Sequence, residues 1–218
     1  MFGIDHFLLF AAAGILLNLT PGPDVLYIVT HALRSGARAG MVAACGITAG
    51  CFVHIAAAAL GVSALMAASA TAFTVLKWAG AAYLVWVGVG MLLARKVDGA
   101  AWVSPGPDVA RGASSLKRIF LQGFWTNALN PKVALFFLAF LPQFISLGVE
   151  SKTMAFLFLG LVFNFNGLWV NLGWALAAAW LAGRVGAVQR GMHWLERAAG
   201  AMFVGFGLKL ALTDNPVH

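Results

Sequence analysis

Six runs of this chain are each long and apolar enough to cross a lipid bilayer: roughly residues 7–29, 39–66, 71–94, 119–147, 153–181 and 194–212. A spanning helix needs about 20 mostly apolar residues, and the longer runs have room to tilt or to contain a break. Membrane β-strands would instead show as alternating segments of about ten residues. The expectation is therefore an all-α integral membrane protein with six transmembrane helices. Composition agrees, at 61% hydrophobic and 10% charged residues, where soluble domains hold about 45–50% apolar and about 25% charged. The first run lacks a preceding basic segment, and its small residues, AAAG, come before the apolar stretch ends. It is expected to stay as a helix rather than be cleaved as a signal peptide.

Charge sets an orientation. Of 14 Lys and Arg residues, ten fall in the connections after runs one, three and five: Arg34, Arg38, Arg95, Lys96, Arg111, Lys117, Arg118, Arg184, Arg190 and Arg197. The opposite side holds Lys77, Lys152 and Lys209, and Lys132 lies within the fourth run. The positive-inside rule makes the first group cytoplasmic, so both termini are expected outside. The net charge of +7 then reflects topology. Its spread over short loops argues against a nucleic-acid partner.

A polar stretch, 95–117, divides the chain into a three-helix half (1–94) and a second (118–218). The halves echo each other. VGVGMLLA at 87–94 matches VGFGLKLA at 204–211 in five of eight positions, and GCFVH at 50–54 matches GLWVN at 167–171, placing His54 opposite Asn171. Aligning Pro21 with Pro131 needs a different offset, so the second half carries extra residues before its second helix. Three helices per half would make the halves inverted repeats, an arrangement suited to alternating access.

Two of the spans are interrupted. NLTPGPD (18–24) sits in the first run and TNALNPKVALFF (126–137) in the fourth. Proline cannot donate a backbone hydrogen bond and glycine is permissive, so both helices should break there. Freed backbone groups at membrane depth are tolerated only against protein or a polar cavity. Thr20 is expected to cap a new half-helix beginning at Pro21, and Asn130 to cap one beginning at Pro131. Their positive N-terminal ends would then face a shared cavity. Paired interruptions of this kind point to a transport site. The candidate substrate-binding residues are Asn18, Thr20, Pro21, Gly22, Pro23, Asp24, Asn127, Asn130, Pro131 and Lys132.

Asp24 is the one carboxylate, and Lys132 the one cation, placed deep in the bilayer by the sequence. A charge there costs roughly 2.5–3.5 kcal/mol or more. They could neutralise each other. They could instead meet an amino acid, whose carboxylate suits Lys132 and the half-helix ends and whose ammonium suits Asp24. Asp24 is also the candidate for proton coupling. His54, Asn164 and Asn171 are candidate pathway-lining residues; Asn164 and Asn171 share a helix face at i, i+7. For His54 the plainer reading is a hydrogen-bonded core residue. Gly46 and Gly50 are read as sites of close helix approach. Cys45 and Cys51, six apart in one helix, fall on different faces and are read as packing residues. SPGPD at 104–108, in the polar stretch, is read as an ordinary turn-rich linker. No nucleotide-binding, zinc-protease or nucleophile–base constellation is present in the sequence, so neither enzymatic activity nor a cofactor is expected.

PGPD in the first span and NPKVALFFLAFLPQF (130–144) in the fourth, with six spans and a basic central loop, resemble the lysine-exporter-type (LysE/RhtB) amino-acid efflux translocators over nearly the whole chain. The resemblance implies export of amino acids or close derivatives across the bacterial inner membrane, driven by the proton motive force. By motif match, the implied site includes Pro21, Gly22, Pro23, Asp24, Asn130, Pro131 and Lys132. A buried cationic side chain would want a second carboxylate, so a neutral amino acid of the threonine, homoserine or leucine type is favoured over lysine. The alternative is export of a divalent metal or other cation, with Cys51, His54 and Asp24 as its candidate ligands. Glycine-rich faces permit a homodimer without requiring one.

Overall fold

Why the first span breaks is visible residue by residue in a computed structural model, which describes residues 4–62, 70–93, 115–146, 149, 151–182 and, near the C-terminus, 197–198, 200–202, 204–205, 207–209 and 211–212. Helix α1 (Phe7–Leu19) is apolar apart from Asn18 and stops at Thr20. The Thr20 amide bonds Leu16 O and Leu17 O at 3.0 and 3.2 Å, and its hydroxyl donates to Leu16 O at 2.7 Å. Thr20 thus closes α1. The expectation that it opens the next helix is corrected: α2 (Pro23–Ala57) has Gly22 as its N-cap and Pro23 at its first position. Two prolines in three residues push the helix start from the first to the second, because the residue before a proline is driven out of helical geometry.

Helix α2 is two arms. At Gly36 the backbone takes φ 82° and ψ 176°, a left-handed value that favours glycine. The chain reverses there. A Cβ at Gly40 would lie 2.7 Å from the Ala32 Cβ, whereas residues eight apart in a straight helix are separated by about 12 Å. The expected polar loop between the first two spans is therefore reduced to a helical hairpin. The second arm continues in π-helical form through Ala58–Val62.

The remaining elements are α3 (Ala70–Leu93), α4 (Leu116–Ala128), α5 (Pro131–Leu135, continuing as Phe136–Phe140 and Leu141–Phe144), α6 (Lys152–Trp180) and α7 (Gly200–Lys209). All described secondary structure is helical apart from one antiparallel bridge, Ile4 to Ile145. Pro23–Gly61, counted across the Gly36 reversal, and Lys152–Trp180 are long and apolar enough to cross a membrane, and α4 with α5, bent by 43° at their break, adds a third if the pair forms one span. The 95–117 linker up to residue 114, with its SPGPD, and the basic residues Arg95, Lys96, Arg111, Arg184 and Arg190 lie outside the described residues.

Small residues bring the helices together. The second arm of α2 crosses α4 where a side chain at Gly46 or Gly50 would run into the backbone carbonyls of Phe120 or Phe124, and Gly123 faces Ala43 O in return. Gly40 packs on Ala175 of α6, and Gly160 of α6 on Ile55 and Phe137. Gly88 of α3 meets Gly200 of α7, while Gly207 meets Ala81, so these two helices run antiparallel. Phe10, Phe136, Phe137, Phe140, Phe144 and Phe163 form a contiguous aromatic core between α1, α5 and α6. The outer surface carries Leu8, Trp86, Trp125, Leu129, Phe165, Trp169 and Trp180, all well exposed. So continuous an apolar exterior is what a lipid solvent requires.

The N-terminal segment is pinned to the end of α5. Asp5 N donates to Phe144 O at 2.9 Å and Ser146 Oγ to Asp5 Oδ2 at 2.8 Å. Residues 4–6 therefore lie on the same side of the bundle as the α5–α6 connection.

The crossing of α2 and α4 predicts a sharp contrast among glycines. Gly46→Leu or Gly50→Leu forces backbone apart and should lower stability by about 3 kcal/mol, at or beyond the upper end of ordinary overpacking. Gly173→Ala meets nothing within 4 Å and should be neutral or up to about 1 kcal/mol stabilising. Thermal unfolding of the purified variants in detergent measures both.

Candidate functional site

The two breaks meet. Pro23 and Pro131 each occupy the first position of a half-helix, and both are exposed. One residue further on, Asp24 and Lys132 occupy matching positions, and both are buried. Each reaches across to the opposite break. Asp24 Oδ2 accepts from Asn127 Nδ2 at 3.1 Å and from Asn130 Nδ2 at 2.8 Å. Lys132 Nζ donates to Leu17 O at 3.3 Å and to Thr20 O at 3.2 Å. The partners are three residues apart in both cases, one on the last turn of the preceding half-helix and one in the break itself. Asp24 and Lys132 do not bond each other directly.

This exchange answers the electrostatics of both breaks. The last carbonyls of α1 lack intrahelical donors and sit at the negative end of the helix dipole, where a cation is favoured. Lys132 supplies it. Asn130 satisfies two needs: its Oδ1 accepts from Lys132 N at 3.0 Å, capping α5 as the sequence predicts, and its Nδ2 serves Asp24. Gly22 lets Lys132 come close: a Cβ there would lie 3.1 Å from the Lys132 ammonium, a tight contact. Pro21 is buried beside it.

A small cavity lies against the crossing. Its polar lining is Asn18, Asp24, Thr48, Asn127, Lys132, Asn164 and Asn171, and its apolar lining includes Leu17, Val25, Val133 and Phe163. The space is about 20 Å³: room for a water molecule, and too little for an amino acid. Asn164 and Asn171 come to it from one face of α6, with Gly167 between them. Asn18 approaches that glycine closely, its Oδ1 lying 3.1 Å from where a Cβ would be, and its Nδ2 reaches Phe163 O at 3.5 Å. Thr20, Pro21, Gly22, Pro23, Asn130 and Pro131 shape the breaks without lining this cavity.

His54 stands outside the cavity lining. Its Nε2 lies 2.8 Å from Asn127 O; a carbonyl only accepts, so Nε2 carries the hydrogen. Its ring stacks on Phe137 at 6.1 Å. His54 thus ties α2 to the end of α4, the hydrogen-bonded core role that the sequence allowed. Cys51, one turn earlier, lines the cavity while Cys45 is exposed. Thr48 also lines it, its hydroxyl donating to Ala44 O at 2.9 Å. Sequence reasoning passed over Thr48 and read Cys51 only as a packing residue or, in the metal alternative, a ligand; the available signal was their shared helical face, i and i+3. Val25 and Val133 were also passed over, although each follows its charged neighbour at the third position of a half-helix.

A family model described as LysE type translocator matches residues 15–214. An uncharacterized membrane protein of Pseudomonas aeruginosa is 33% identical over 96% of both chains. A homoserine/homoserine lactone efflux protein of Salmonella typhimurium is 30% identical over 90% of this chain and 91% of its own. A leucine efflux protein of Klebsiella pneumoniae is 27% identical over 98% of both. No solved structure matches the chain.

The double use of Asn130 predicts an order of variants. Asn130→Ala removes a cap and a charge-assisted hydrogen bond and should cost about 2–4 kcal/mol. Asn130→Asp retains the cap but sets a second carboxylate against Asp24, and should cost more. Adding Asp24→Asn to Asn130→Asp should restore part of the loss. Unfolding temperatures in detergent, compared across the three proteins, check the order.

Proposed function

Since the chain belongs to the LysE type translocator family, we propose that it is a secondary exporter of amino acids or close derivatives across the bacterial cytoplasmic membrane, working by proton antiport. The observation that carries this reading is the convergence of Asp24 and Lys132 from two helix breaks onto one cavity with asparagine side chains. A zwitterion needs both signs of charge in a water-poor place, and each broken span provides one. Because the cavity is smaller than an amino acid, entry and exit require the breaks to move apart, as alternating access demands.

Six spans in two inverted repeats are the architecture this mechanism uses. Three features support it: the reversal at Gly36, the matching positions of Asp24 and Lys132, and the antiparallel packing of α3 on α7. A periplasmic N-terminus, as the positive-inside rule expects, is supported by the link from residues 4–6 to the end of α5, beside the sparsely charged connection.

The substrate class follows from the lining. It holds one carboxylate, Asp24, and its apolar wall is Leu17, Val25, Ile47, Val133 and Phe163. A cationic side chain would find no second counter-charge there, so a neutral amino acid is preferred. The relatives named for leucine and for homoserine and its lactone have neutral substrates. For a metal exporter, three His, Cys, Asp or Glu side chains should converge, and no such group is found among the described residues.

Efflux from preloaded proteoliposomes tests the reading. Leucine, homoserine or threonine should leave several-fold faster than lysine, and faster still under a proton gradient directed inward against the efflux. Protection of cells against a metal, with no amino-acid efflux, would overturn it. The role of Asp24 in coupling is tested by Asp24→Asn: its residual efflux should lose the response to pH, and an unchanged pH profile would remove Asp24 from the coupling step.

A further inference from the structure

Two acceptor atoms beside the cavity have no donor. Asp24 Oδ1 and Asn127 Oδ1 are both buried and lack a hydrogen-bond partner among the described residues. Both residues line the cavity, and they are bonded to each other through Asn127 Nδ2 and Asp24 Oδ2 at 3.1 Å. With Asp24 ionised, that bond fixes which way the Asn127 amide points. An ionised carboxylate only accepts, so Nδ2 must face Asp24 and Oδ1 must turn away from it. In this conformation no described side chain donates to either oxygen. The Lys132 ammonium is held by Leu17 O and Thr20 O, the Thr48 hydroxyl by Ala44 O, and Asn130 Nδ2 by the other Asp24 oxygen. An unmade hydrogen bond at a buried acceptor is costly, most of all at a charged one.

The chemistry that completes this pair is a compact group with several hydrogens to donate and a positive charge. A carboxylate is the wrong sign for it, because it would bring a second negative charge against Asp24. We propose that Asp24 Oδ1 and Asn127 Oδ1 form the ammonium-binding end of the transport site, so that substrates are selected by a free amino group and a blocked carboxyl is tolerated. The inference rests on the exporter reading and adds an orientation to it: amine toward the α2 and α4 breaks, the remainder toward Phe163, Asn164 and Asn171 on α6.

The test uses wild-type protein in proteoliposomes. Whichever amino acid it exports is used as the labelled substrate, and two blocked analogues of that amino acid compete with it. The amide, with a free amine and no carboxylate, should compete within a few-fold of the parent. The N-acetyl derivative, with a free carboxylate and no amine, should compete at least about tenfold less well, the loss expected for a hydrogen bond to a charged group. Equal competition by the two, or stronger competition by the N-acetyl form, overturns the inference and leaves the exporter reading standing. Export of no amino acid at all fails the exporter reading itself. An inorganic cation is the other source of positive charge for these oxygens. If replacing sodium and potassium by N-methylglucamine abolishes transport and the analogues compete equally, the site belongs to that ion and the inference falls. Asn127→Ala provides a second readout. The ratio between the two analogues should collapse toward one, a change that general loosening of the bundle would not produce. A ratio kept at its wild-type value would remove Asn127 from amine recognition.

Discussion

Everything in this bundle is arranged around two charges exchanged between two broken helices. Neither break is tolerable alone in hydrocarbon. The first leaves carbonyls of α1 without donors, and the second leaves an amide at the start of α5 without an acceptor. The buried carboxylate and ammonium are equally intolerable alone. The crossing resolves these problems together. Lys132 closes the end of α1 while Asp24 is held by two amides from the end of α4 and its cap. Each charge is stabilised by dipoles of the other half rather than by direct contact with its opposite. Both charges therefore retain capacity for a third party, which an intimate ion pair would have used up.

Holding the crossing in place is a matter of close backbone contact. Lipid tails offer helices no hydrophobic reason to associate, so dispersion and polar bonds must suffice, and both need short distances. Gly46, Gly50 and Gly123 let α2 and α4 approach at the height of the site, and the His54–Asn127 bond locks that approach from the far side of the cavity. The aromatic cluster of α1, α5 and α6 fills the opposite flank. A cavity of about 20 Å³ between such well-packed walls has no room for an amino acid. Transport then requires rigid pieces to shift, because packed interiors deform poorly. At the short segments 20–22 and 129–130 helical hydrogen bonding is already interrupted, so bending there would break the fewest helical bonds.

Much of this was legible in the order of residues. Runs of apolar side chains specify helices in lipid, since no other open structure satisfies its own backbone there. Proline marks a break whatever surrounds it, and a lone Asp or Lys in an apolar run is conspicuous because lipid makes charge expensive. Hence the helical class, the two interruptions, the Asn130 cap, the glycine contacts and the prominence of Asp24 and Lys132 could all be read along the chain. Other features were hidden in it. Thr20 and Gly22 are both acceptable caps, and only the geometry of two successive prolines chose between them. Arg34 to Arg38 looked like a loop because charges suggest solvent; Gly36 turns it into a hairpin without leaving helical structure for more than one residue.

What the sequence by itself determined is therefore whatever depends on a residue's own chemistry against a known solvent: spans, breaks, and which charges are out of place. What only the tertiary structure decided is which groups satisfy one another. Nothing along the chain says that Lys132 takes the carbonyls of Leu17 and Thr20 rather than Asp24, that His54 turns to Asn127, or that Thr48 and Cys51 face the cavity while Cys45 does not. Those choices are made over separations of tens to more than a hundred residues. They are settled by direction and distance in space, where a hydrogen bond exists or fails within a fraction of an ångström, and sequence periodicity carries no such information.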